Sequence, residues 1–194
     1  MKSILPAIAI AIAIATATGG LLGLASFGAN AADGTITFTG TVSDTTCSIN
    51  GTTSGASANL AVTLPTVSAG SLATQGAVAG TSGPTDMTLA LSGCSGAATK
   101  AIAKFENGPT VDQGTGYLAN QAASGPASNV EVRLLNASLQ PINITTGLNN
   151  DIDGNGATIS GGSANVKYFA QYYATGKATP GAVSTSVQYT MQYQ

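Results

Sequence analysis

The chain has 194 residues, a formal net charge of −2, two cysteines, and neither histidine nor tryptophan. Charged residues make up only 7% of it, against roughly 25% in average domains; Thr, Ser, Asn, Gln and Gly supply the surface instead. With no basic patch to neutralise phosphates, and no histidine for a Ser-His-Asp triad, a general base or the usual zinc site, nucleic-acid binding and the commonest catalytic and metal chemistries fall away.

Read from its start, the chain opens with Lys2, an apolar run from Ile4 to Ala15, and small residues down to Ala29-Asn30-Ala31. This is the layout of a secretory signal peptide over residues 1–31 with cleavage after Ala31, or earlier, near Ala25. A retained membrane anchor is the alternative, because residues 4–29 carry no charge and are long enough to span a bilayer. Ile36, Phe38, Gly40 and Val42 then alternate with Thr35, Thr37, Thr39 and Thr41, a period of two that predicts a strand over residues 34–42. Cys47-Ser48-Ile49 is a short apolar stretch, residues 50–59 are loop, and Leu60–Leu64 alternates again until Pro65 stops it. Residues 68–85 are rich in Ala, Gly, Ser and Thr, with room for a short helix near Leu72–Val78. Met87, Leu89 and Leu91 lead into Gly93-Cys94. In an exported chain two cysteines most simply form one disulfide, Cys47–Cys94; two buried free thiols are the other possibility.

Further strands are expected over Ala101–Phe105, over Asn129–Leu135 and over Val166–Ala174, with Pro141, Ile142 and Ile144 in a turn and extended piece between the last two. Loops are expected over residues 108–128, 151–163 and 175–186. The chain ends on Val187, Tyr189, Met191 and Tyr193 alternating with polar residues, a strand with one buried face whose backbone groups need partners. Eight or so short strands with little helical periodicity give an all-β sandwich.

No catalytic site, cofactor or metal is expected. Asp151-Ile152-Asp153-Gly154-Asn155-Gly156 matches the first half of a calcium loop, but the position that needs a bidentate glutamate is Gly162, so the segment reads as a surface turn. Tyr168, Phe169, Tyr172 and Tyr173 could stack on sugars; core packing and subunit contact account for them better.

Several of these pieces resemble one family. Gly34–Val42 followed by Cys47 resembles the N-terminal segment of chaperone–usher pilins. Leu91-Ser92-Gly93-Cys94 looks like their second-cysteine strand, and Val130–Asn136 with Pro141 and Ile142 is similar to their mid-chain strands. Tyr172-Tyr173-Ala174-Thr175-Gly176-Lys177-Ala178-Thr179-Pro180-Gly181 and the penultimate Tyr193 look like the major subunits of type 1 fimbriae. The resemblance covers the chain beyond its leader. It implies an incomplete immunoglobulin-like sandwich, completed by a donor strand from a neighbouring subunit. It further implies three parts: a signal peptide over 1–31, a donor extension over 32–46 and a pilin domain over 47–194. Ile36, Phe38, Gly40 and Val42 would be the donor residues, and Val187, Tyr189, Met191 and Tyr193 would line the acceptor groove. The implied partners are other pilin subunits, a periplasmic chaperone that holds the groove first, and an outer-membrane usher, with no nucleic acid and no small-molecule substrate. The implied location is a fimbrium on the cell surface, serving adhesion. The extension is short, which leaves a minor or adapter pilin as an alternative; a self-complete carbohydrate-binding sandwich is the reading from another class.

Overall fold

A computed structural model describes residues 36–40, 42, 44 and 46–194. The expected signal peptide lies outside these residues. The chain divides into two units, residues 1–40 and 41–194. Of the first, Ile36–Gly40 takes no regular secondary structure, so the strand expected there is not formed within any sheet. Ile36 and Phe38 are 81% and 89% exposed, and Val42, in the second unit, is 100% exposed.

The second unit is built from two antiparallel sheets. Its elements are β1 (Ser48–Ile49), a 3-10 turn (Ala69–Leu72), β2 (Val78–Ala79), β3 (Met87–Ser92), β4 (Lys100–Phe105), β5 (Leu118–Ala119), β6 (Val130–Leu135), α1 (Ile152–Asn155), β7 (Ala157–Thr158), β8 (Ala164–Ala174) and β9 (Tyr189–Tyr193). The larger sheet runs β1-β3-β8-β6-β5, with β2 also on β8. The smaller runs β7-β4-β9. β8, the longest strand, carries Val166, Tyr168, Phe169, Tyr172 and Tyr173, residue types that favour extended backbone. Its first half pairs with β3, from Met87–Tyr168 to Leu91–Ala164. Its second half pairs with β2 on that side, and with β6 on the other from Leu135–Phe169 to Val130–Ala174.

The core lies between the sheets. Ala164, Val166, Tyr168 and Ala170 point inward from β8 and meet Ala103 and Phe105 of β4, Leu89 and Leu91 of β3 and Val132 and Leu134 of β6. Ala101, Ile102 and Ala103 are all fully buried. Such a run requires cover on both faces of β4; Ile142 and Ile144 belong to the same buried cluster, and the partly buried Ile152 packs against it.

Tyr168 joins the two sheets. Lys100 and Gln194 exchange hydrogen bonds, and Glu106 N–H donates to the Gln188 carbonyl. By antiparallel alternation, the even-numbered residues of β4 face β9 and the odd-numbered ones face β7. β7 ends at Ala157, opposite Ala101, which leaves Ala103 without a ladder partner. The Ala103 N–H instead donates to Tyr168 Oη at 3.0 Å. Its carbonyl accepts from Asn150 Nδ2 at 3.0 Å, with the Tyr168 hydroxyl at the same distance. Buried backbone polar groups are nearly always paired, and here two side chains do what a strand would otherwise do. The Tyr168 ring meets Phe105 edge to face at 4.9 Å.

Cys47 and Cys94 form the expected disulfide across a sequence separation of 47. It ties the start of the second unit to the end of β3. The Ser95 N–H donates to the Thr46 carbonyl at 2.9 Å beside it, and the two hydroxyls of that pair lie 2.7 Å apart.

Sequence and structure differ at other places too. Leu60–Leu64 is extended but joins no ladder. The helix expected near Leu72–Val78 is the shorter 3-10 turn over Ala69–Leu72. Residues 151–163 hold α1 and β7 within the expected turn region. Asp151 caps α1, accepting from Gly154 N–H at 2.6 Å and Asn155 Nδ2 at 2.7 Å. These bonds hold its carboxyl below the usual carboxylate range and bear out the turn. Among the described residues no group of His, Cys, Asp or Glu is placed to hold a metal ion.

Candidate functional site: an apolar groove beside an open strand edge

A groove of about 990 Å³ opens into the core between β9 and the extended segment 56–64. One wall is β9 with the residues that lead into it. Val187, Tyr189, Met191 and Tyr193 are half-buried and pack against the core, while Gln188, Thr190 and Gln192 are exposed. The other wall presents Ala58, Leu60, Val62 and Leu64 in the same period of two, and Leu60 is 39% exposed. Leu89, Leu134, Tyr168 and Ala170 lie at the floor. Among the described residues Glu106 is the single charged one around the groove; its Oε1 accepts from Thr190 Oγ1 at 2.8 Å. Burial pushes the Tyr189 and Tyr193 phenols up, and in Tyr193 the neighbouring Tyr189 adds to the effect.

The groove's backbone is as important as its side chains. Gln188 and Gln194 turn their backbone groups toward β4. By alternation Thr190 and Gln192 face β4 as well, whereas Val187, Tyr189, Met191 and Tyr193 direct N–H and C=O away from it, along the open edge. The same holds upstream. The Ser184 carbonyl accepts from Gln121 N–H at 2.7 Å and the Ser184 N–H donates to Asn120 Oδ1 at 3.0 Å, which leaves Thr185 facing the groove. Among the described residues no strand pairs with this second edge of β9, and residues 57–67 form no backbone ladder either. One bond crosses the groove: the Tyr189 hydroxyl donates to the Ala58 carbonyl at 2.7 Å. An unpaired edge above exposed apolar side chains is a template for another strand.

The four residues expected to line a groove, Val187, Tyr189, Met191 and Tyr193, therefore sit on one face of β9 and of the run that leads into it. Tyr193 packs against the core without lining the groove itself; the other three line it. Sequence reasoning missed Leu60, Val62 and Leu64 as the opposite wall, and Val183 and Thr185 as an extension of the near one. The signal for the latter was present, since Val183, Thr185 and Val187 continue the period of two. Gly181 sets where that run begins: any Cβ there would collide with the backbone of Pro126 and Ala127, and its neighbour Ala182 bridges to Pro126.

The aromatic residues of β8 divide as alternation requires. Tyr168 is core, and Tyr173 faces outward, where it meets Tyr117 edge to face at 4.9 Å. Arg133 lies 5.9 Å above the Tyr173 ring and donates to Gln171 Oε1 at 2.7 Å. Beside them Glu131 is buried and accepts from Thr115 Oγ1 at 2.9 Å. Burial pushes the Glu131 carboxyl up; the Thr115 hydrogen bond opposes this and the Asp112 charge adds to it. A carboxyl raised in the folded state favours folding most when protonated, so its contribution fades as pH climbs past the ordinary glutamate value of 4.5. Glu131→Gln is therefore expected to raise the urea midpoint at pH 7 and to change it little at pH 4, flattening the pH dependence between them.

An antiparallel immunoglobulin-like sandwich with an unpaired terminal edge over an apolar groove is the build of a pilus subunit. Solved structures share this fold. One is a chaperone–usher pilus studied for rod uncoiling, with a TM-score of 0.53 and 24% identity, covering 84% of this chain and 96% of that one. Another is the P pilus rod subunit PapA, with a TM-score of 0.51 and 20% identity, covering 76% and 99%. Residues 36–194 match the family model described as "Fimbrial protein". The major fimbrial subunit SMF-1 of Stenotrophomonas maltophilia (strain K279a) is 45% identical over 176 residues, 89% of this chain and 99% of the relative. The F17 fimbrial protein of Escherichia coli is 45% identical over 184 residues, 90% and 96%. The minor fimbrial subunit HifD of Haemophilus influenzae is 34% identical over 171 residues, 85% and 76%. The chain belongs to the fimbrial protein family. It is a structural subunit of a fimbria, exported to the cell surface, where it polymerises with related pilins.

Proposed function

We propose that the subunit polymerises by lending residues 32–46 to the groove of the next copy, with residues 47–194 as the pilin domain that receives the same segment from a third. The carrying observation is the pairing of two incomplete features: an open strand edge above an apolar groove, and an exposed N-terminal stretch whose large apolar residues Ile36, Phe38 and Val42 share one parity. In this reading Ile36, Phe38, Gly40 and Val42 face the groove, and Val187, Tyr189, Met191 and Tyr193 receive them. Each buried apolar side chain contributes roughly 1.5–3 kcal/mol, and backbone pairing along the edge adds to this. A contact that joins one end of each copy to the groove of the next is head-to-tail and non-closing, so it makes a fibre. A periplasmic chaperone covers the groove before assembly and an outer-membrane usher exchanges it for the next subunit. The protein does its work by assembly, without catalysis. The 45% identity to a major subunit over nearly its whole length supports a shaft role; the likeness to HifD supports a minor or adapter role less strongly.

The test is expression of the mature chain with and without a candidate chaperone, followed by addition of a synthetic peptide of residues 32–46. The expected results are a one-to-one complex with chaperone, loss of soluble subunit without it, and release of chaperone by the peptide. A stable lone monomer that ignores the peptide would overturn the proposal.

A further inference from the structure

The wall opposite β9 has few attachments. Among the described residues, 57–67 make no backbone hydrogen bond. Upstream, the chain is fixed by the Ile49–Thr52 bridge and by the Ala56 N–H, which donates to the Thr53 carbonyl at 3.1 Å. Downstream, Leu64 packs against the main core, and Val67 against the smaller cluster of Leu72, Ala127, Val130, Ala174 and Ala178. Leu60 and Val62, between these anchors, line the groove but belong to neither cluster. In that stretch the polar tie is the Tyr189 hydroxyl, which donates to the Ala58 carbonyl at 2.7 Å.

The direction and reach of that side chain suit it to the task. Tyr189 lies directly opposite Phe105 of β4 and so shares its inward face. Its ring therefore runs on the core side of the place beside β9 where a further strand would lie. A tyrosine reaches roughly 6.5 Å from Cα to hydroxyl at standard bond lengths, so with its hydrogen bond the Ala58 oxygen lies within about 9 Å of the Tyr189 Cα. Two gaps between neighbouring strands measure about 9.6 Å. The bond thus limits the opening to the width of one strand. Resting on the donor-strand reading above, we propose that Tyr189 is a positioning residue of the groove: its side chain is a strut that passes under the site of the incoming strand and holds the wall 57–64 one strand's width from β9. A site already held in its bound shape spares the incoming strand the ordering of that wall.

The test uses the mature chain, disulfide intact and refolded at low concentration, with the synthetic peptide of residues 32–46. Tyr189→Phe removes the hydroxyl and keeps the ring. Thermolysin, which cuts beside leucine and valine, is expected to cleave this variant within residues 57–64 roughly five- to tenfold faster than wild type, as loss of one hydrogen bond does when cleavage follows local opening. Bound peptide is expected to leave it faster by a similar factor. Ile144→Val, in the core away from the groove, lowers the urea midpoint as well, but is expected to leave wall cleavage and peptide release as in wild type. Unchanged cleavage within 57–64 in Tyr189→Phe overturns the proposal. Equal effects of the two substitutions on cleavage and release also overturn it, because Tyr189 would then support only the domain as a whole. A wild type that ignores the peptide while Tyr189→Phe alone loosens the wall would overturn strand donation and leave the strut standing. Should the refolded subunit aggregate, the same substitutions are read in assembled fibres: Tyr189→Phe is expected to speed dissociation in denaturant by the same factor and Ile144→Val is not, and equal rates overturn the proposal.

Discussion

Cells that make the Ile36→Asp/Phe38→Asp subunit are expected to carry no fibres, while the subunit itself persists in the periplasm in complex with the chaperone proposed above. Both side chains are exposed in the subunit, so the substitutions remove nothing from its core. In the neighbour's groove they would occupy apolar ground between two walls on which, among the described residues, Glu106 is the single charge. Loss of two buried side chains removes about 3–6 kcal/mol. Each aspartate would in addition have to enter the groove charged and unpaired, which costs more than the lost burial. Together these exceed a thousandfold in the subunit–subunit equilibrium. The quantity to measure is subunit in the sheared surface fraction against subunit in the periplasm. Thr37→Asp, on the opposite parity, serves as the control and is expected to leave most of the fibre in place. Equal loss in the control would mean that the segment is not held by one face.

The second large effect is expected from Cys47→Ala/Cys94→Ala. The native bond closes a loop with a sequence separation of 47, which in the chain-entropy description stabilises by about 4 kcal/mol. Net stabilities of domains are about 5–15 kcal/mol, and this one carries an open edge and an apolar groove where a further strand would contribute. The variant is expected to fall to a small fraction of the wild-type periplasmic level and to unfold at much lower urea when held with donor peptide. Reductant added to the folded wild type is expected to act slowly, because Cys47 is buried, and then to reproduce the variant's urea midpoint. A midpoint unmoved by the double substitution would show that the Thr46–Ser95 hydrogen bonds hold the start of the domain by themselves.

The longer strands were legible from alternation and composition: Met87–Leu91, Ala101–Phe105, Val130–Leu135, the aromatic β8 and the C-terminal β9 all appear within a few residues of where the pattern places them, whereas the two-residue β5 and β7 fall where loops were expected. What alternation does not report is pairing. Leu60–Leu64 and Ile36–Gly40 carry the same period of two as β9, yet neither joins a ladder, because a side-chain pattern states which face is apolar and says nothing of what lies beside the backbone. Thr185 escaped notice for a different reason. Gly176, Pro180 and Gly181 mark the region as loop, and the inward series Val183, Thr185, Val187 has a polar member, so its continuity with β9 shows only once Ser184 is seen to bond outward to Asn120 and Gln121. The Asn150–Ala103 contact is likewise invisible in sequence, since it depends on β7 ending two residues too soon to serve Ala103.

The position of the disulfide also bears on how such a fibre carries load. Only four residues separate Val42 from Cys47, and Cys47 is stapled to the end of β3. Tension drawn through the lent segment would pass at once into a covalent bond anchored just beyond the end of β3, bypassing the weak two-residue β1. At its other end the segment would be pulled along its own axis beside β9, so that its backbone bonds resist together in shear and do not peel one by one.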